Sequence, residues 1–121
     1  MAIDYHYFET QQIGDAAEAR VQWNPGYWVS LKKSLEALRA NATLWRDELS
    51  LLTPATLRLY RVSVKRPAAL EPVLTYQIAE GRLTATLAPG AVEEVRGLLS
   101  EDPSLIGGEV RPPAPGQTMN G

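Results

Sequence analysis

The chain has 121 residues, 45% of them hydrophobic, with 14 acidic against 12 basic side chains. That length carries one domain with one core, and the near-balanced charge points neither to a polyanion-coating protein nor to an acidic disordered one. Zero cysteines exclude disulfides, thiolate metal sites, iron–sulfur clusters and a cysteine nucleophile, and a single histidine excludes a multi-histidine metal centre.

No apolar run approaches the roughly 20 residues of a membrane-spanning helix, and the N-terminus lacks the basic, apolar and small-residue succession of a signal peptide. The expected location is therefore cytoplasmic, or the virion if the chain is virus-encoded. Ile3, Tyr5 and Tyr7 alternate with Asp4 and His6, a period-two pattern that predicts a short N-terminal strand. Residues 10 to 22 offer little apolar anchoring and are expected to connect. Asn24-Pro25-Gly26-Tyr27 has the composition of a type II turn, with Pro preset at its second position and Gly free to take positive φ at its third.

From Trp28 the period changes. Leu31, Leu35, Leu38, Ala42, Trp45, Leu49 and Leu52 follow one another at steps of four and three, which puts them on one stripe of a helix. Such a helix spans about 25 residues, or about 37 Å, and Thr53-Pro54 stops it. Asn41 and Thr43 are weak helix formers, so a break near Asn41 is the competing reading. A dimeric coiled coil is a further alternative, but the residues flanking the seam, Lys32, Arg39 and Arg46 against Ser34, Asn41 and Glu48, give a parallel pair little charge matching.

Residues 57 to 65 are rich in β-branched and aromatic types, with the apolar phase slipping between Leu59 and Tyr60, and predict a strand with a bulge or two covered faces. A hairpin follows. With Glu80-Gly81 as its two-residue loop, Ile78 pairs Leu83, Tyr76 pairs Ala85 and Leu74 pairs Leu87, while Gln77 meets Thr84 and Thr75 meets Thr86 on the other face. Val92, Val95, Leu98 and Leu99 then mark a short amphipathic helix ended by Asp102-Pro103.

The predicted fold is α+β: a short N-terminal strand, a long amphipathic helix, a three-stranded antiparallel meander and a short C-terminal helix, with the helices on one face of the sheet. Residues 1–106 form the single domain, and residues 107–121, rich in Gly and Pro, are expected as an extended or mobile tail. The order helix, three strands, helix over about residues 28–102 resembles the topology of double-stranded-RNA-binding domains. That family has a basic N-terminus on its second helix, whereas Pro89-Gly90-Ala91-Val92-Glu93-Glu94 is acidic here.

Site chemistry is sparse. Gly107-Gly108 precede neither a helix nor a Gly-Lys-Ser/Thr, and no serine sits in a Gly-x-Ser-x-Gly elbow. Asp47-Glu48, Glu93-Glu94 and Glu101-Asp102 are sequence neighbours that diverge on a helix instead of facing each other as glycosidase carboxylates do. No catalytic residue, metal or cofactor is indicated, and the least favoured reading is a small enzyme using His6 with carboxylates and tyrosine hydroxyls. Arg58, Arg61, Lys65 and Arg66 form a stretch without acids, the candidate anion-binding set of a nucleic-acid-binding domain; edge-strand protection explains the same pattern. Trp23, Tyr27 and Trp28 around the turn are the candidate partner-binding residues, since aromatics dominate binding hot spots, though they serve equally as a lid on the core. The favoured expectation is a non-enzymatic protein-interaction or assembly module, a small bacterial or viral subunit that docks a protein partner or a second copy.

Overall fold

In the computed structural model, residues 5–21, 28–49 and 53–113 are described. The chain builds strands β1 (Tyr5–Ile13) and β2 (Ala19–Arg20), helix α1 (Leu31–Leu44), strands β3 (Ala55–Ser63), β4 (Leu70–Ala79) and β5 (Arg82–Leu87), helix α2 (Val92–Glu101) and strand β6 (Glu109–Arg111). The class is α+β. In place of a three-stranded meander there is one six-stranded mixed sheet in the order β2-β1-β3-β4-β5-β6, antiparallel except between β5 and β6.

The first strand is longer than alternation predicted. It runs on through Thr10, Gln11, Gln12 and Ile13, which had read as a connection, because β3 pairs with it along its whole length from Tyr5–Ser63 to Ile13–Ala55. Polar residues obscured it: the core-facing position in its middle is Glu9, fully buried, whose Oε1 accepts from Asn41 Nδ2 at 2.8 Å. Asn41 is therefore no helix break. It reaches from α1 to the sheet.

The single long helix is also corrected. Ser30 caps α1 by accepting from the Lys33 amide at 3.2 Å, and the α-helical part ends at Leu44. A π-helical turn over Trp45–Leu49 follows, and the Trp45 indole N–H donates to the Thr53 carbonyl at 2.9 Å. A widened turn rotates the residues after it out of the α-helical phase. So Leu35, Leu38 and Ala42 are buried as the stripe requires, while Leu49 is 39% exposed and Leu52 lies outside the described residues. No described helix is long and apolar enough to cross a membrane.

The hairpin has the register its two faces demanded: Leu74–Leu87, Thr75–Thr86, Tyr76–Ala85, Gln77–Thr84 and Ile78–Leu83. Glu80 and Gly81 both take positive φ, 53° and 78°, as a two-residue type I′ loop needs. The irregularity at Leu59/Tyr60 is present, and the extra residue is in the partner strand. Leu59 pairs Leu74 while Tyr60 pairs Pro72, so Val73 is the bulged residue, and both Val73 and Leu74 are buried.

Both helices lie on one face of the sheet. Leu35, Leu38 and Ala42 of α1 and Val95 of α2 pack with Leu57, Leu59, Tyr76, Ile78 and Ala85 in one core cluster. The chain from Gly107, expected as a tail, is extended and paired with β5 as far as Arg111. Its glycines are what allow this. A Cβ on Gly108, whose φ is +73°, would lie 2.1 Å from the Leu83 carbonyl oxygen, and the Gly107 amide donates to the buried Tyr76 hydroxyl at 3.1 Å.

Candidate functional site

Strand alternation sends every second side chain to the face that the helices do not cover. Across it run four rows set by register: His6–Val62–Leu70, Phe8–Tyr60–Pro72, Thr10–Arg58–Thr75–Thr86, and Gln12–Thr56–Gln77–Thr84. Apart from Arg58 the central rows hold no formal charge. At the β4–β5 side this face is concave, with a cavity of about 590 Å³ bordered by Arg58, Pro72, Thr75, Gln77 and the run from Thr86 to Pro89. At the β1 side it is ridged: the rings of Phe8 and Tyr60 stack with centroids 5.6 Å apart, and the Arg20 guanidinium sits 4.7 Å above Phe8.

Glu18 ties the ridge to the centre of the face. Its carboxylate accepts from the Thr10 hydroxyl and pairs with Arg58 Nη1 at 3.3 Å, while Arg58 also donates to Gln12 at 3.1 Å. Partial burial works against the charged carboxylate, but hydrogen bonds from Thr10 and Tyr60, with Arg58 nearby, outweigh it and hold Glu18 below the usual carboxylate range. Tyr60 is shifted the other way, raised by burial and by its bond to Glu18.

The sequence-selected cations divide between two environments. Arg61, three residues after Arg58, is on the covered face at 5% exposure, where Nε pairs with Glu71 at 2.8 Å, Nη1 with Glu94 at 2.9 Å and Nη2 donates to the Gly90 carbonyl at 3.1 Å. Its guanidinium also stacks on Tyr5 at 4.2 Å. Burial opposes the Arg61 charge, and the two carboxylates reverse that effect, so its proton is held more tightly than in free arginine. Lys65 and Arg66 are exposed in the β3–β4 connection. Arg61 thus does not share the face of Arg58.

Of the aromatic candidates, Trp23 and Tyr27 lie outside the described residues. Trp28 is half-buried against the core cluster, with its backbone exchanging hydrogen bonds of 2.6 and 2.8 Å with Tyr7. His6 stands on the uncovered face opposite Val62. Sequence reasoning passed over Phe8 and Tyr60 as a pair, because their contact depends on the β1–β3 register. No family model, curated protein or solved structure matches the chain.

Proposed function

We propose that this chain is a non-enzymatic protein-interaction module that docks a protein partner through the uncovered sheet face. The observation that carries the reading is the division of one sheet into a helix-covered face and a face with a groove, an aromatic ridge and a charge-balanced centre. Neutral Thr and Gln side chains resist desolvation less than charges do, and Phe8, Tyr60 and Pro72 add apolar area. A nucleic-acid role for Arg58 is less well supported, since Glu18 neutralises it and places a carboxylate where a phosphate would approach.

The test is partner capture by the full chain and by two kinds of variant, each first shown to fold by circular dichroism. Thr75→Arg and Gln77→Arg should abolish capture, whereas Lys33→Glu and Arg96→Glu, on the helices, should leave it unchanged. Equal capture by all four overturns the reading. Salt-dependent binding to single-stranded nucleic acid that is lost in Arg58→Ala would replace it with the nucleic-acid reading.

A further inference from the structure

We propose that the uncovered face pairs with the same face of a second copy, so that two sheets pack back to back about a two-fold axis running along the strands between β3 and β4. This rests on the interaction-module reading and names the partner. The sheet has three strands on each side of that line, so the axis sets β3 against β4 and β1 against β5 of the other copy.

The rows then match. The axis preserves the level along the strands, so the ridge of Phe8 and Tyr60 meets the concave side of its own row in the second copy. Tyr60 faces Pro72, and Phe8 faces Ala88, which directly follows β5 and is level with the bulge through the hydrogen bond its amide donates to the Val73 carbonyl at 3.1 Å. Ridge meets groove twice by symmetry, the reciprocity an isologous interface requires. An axis across the strands would instead set β1 on β1 and β5 on β5, leaving the concave side of each copy against the concave side of the other.

Charge agrees with the same placement. Arg58 faces Thr75 of the second copy, not its own counterpart, and keeps its Glu18 partner. Strands β2 and β6 fall at the rim, where Arg111 keeps its own Glu109 partner at 2.7 Å and Arg20 its place over Phe8. At strand spacings of about 4.8 Å and rises of about 3.4 Å, the 39 residues of the six strands offer a footprint of roughly 640 Å² per copy. That lies within the roughly 600 to 1,000 Å² per partner of specific, stable interfaces.

The absence of cysteines in the chain makes the geometry directly readable by disulfide trapping. Full-length Phe8→Cys and Ala88→Cys variants are oxidised separately and as an equimolar mixture, and the mass of the wild-type chain is measured by sedimentation. The expected result is a wild-type mass of twice 13.3 kDa, and a covalent dimer in the mixture at least tenfold more abundant than in either variant alone. Thr75→Arg, which sets a cation against Arg58 of the second copy, should sediment as a monomer, while Thr75→Glu should remain dimeric. Cross-linking of Phe8→Cys with itself overturns the stated axis. A monomeric wild-type chain without selective cross-linking overturns the second copy as occupant. If that monomer still captures a partner through the face, the interaction reading stands alone; if it captures none, both are overturned.

Discussion

Arg58 and Arg61 sit three residues apart on β3 and meet opposite fates, as do the two faces of the sheet they belong to. Arg61 projects toward the start of α2, where two carboxylates, a carbonyl and the Tyr5 ring surround it. Arg58 projects from the uncovered face, 29% of its side chain exposed, and makes one longer ion pair. The same residue type is a packing element on one side and a surface group on the other. What decides between them is whether something covers the strand, since a charge leaving water must be compensated by partners that stay in place.

Substitutions should separate the faces by size of effect. Leu38→Asp puts an unpaired charge in a fully buried position and should cost several kcal/mol, enough to abolish cooperative thermal melting, whereas Thr75→Asp should stay within about 1 kcal/mol of wild type. Comparable losses at both sites would mean that Thr75 is packed within the chain's own core too. Arg61→Ala should cost about 2 kcal/mol in urea denaturation, discounted because Glu71 and Glu94 are each about half exposed and can rehydrate. Arg58→Ala should cost about 0.5 kcal/mol or less, as exposed ion pairs do.

Legibility in the sequence followed the same division. The β4–β5 hairpin could be placed to the residue because both of its faces are patterned and its loop admits one turn type. The second half of β1 could not, since Glu9 occupies a core position that alternation assigns to an apolar side chain, and its partner Asn41 is 32 positions away. For α1 the stripe of Leu35, Leu38 and Ala42 was readable, but the π-helical turn that turns Leu49 outward has no signature in apolar spacing. Gly107 and Gly108 read as tail composition because the reason for them, contact with Leu83 and Tyr76, is long-range. The ridge of Phe8 and Tyr60 was hidden for the same cause.

Smaller effects sharpen the comparison at the sheet's far edge and in its pH response. Gly108→Ala forces a Cβ into the Leu83 carbonyl at a positive φ and should cost about 2 kcal/mol, with earlier proteolysis after Leu105 as the readout. The covered face should set the alkaline limit. Burial raises the Tyr76 hydroxyl to about 12 from an ordinary value of 10.0, so the neutral form is favoured in the folded chain. That contribution is complete below pH 10 and is lost as pH rises toward 12, on the order of 2 kcal/mol, and Tyr76→Phe should flatten this limb. The uncovered face should contribute to the acid limb. Glu18 is lowered in the folded chain, so its contribution is present above the ordinary carboxylate range and disappears as pH falls through its folded value; Glu18→Gln should reduce the acid sensitivity.

Hydroxyl-radical footprinting of the full chain over a range of protein concentrations tests the docking role of the uncovered face most directly, with Leu44 and Leu49, exposed at 57% and 39% on the helical segment, as internal references. The expected result is progressive protection of Phe8 and Tyr60 as concentration rises, with Leu44 and Leu49 reacting at a constant rate. Reactivity of Phe8 and Tyr60 that stays constant at every concentration, and in the presence of any captured protein, would contradict the assignment of this face as a docking surface.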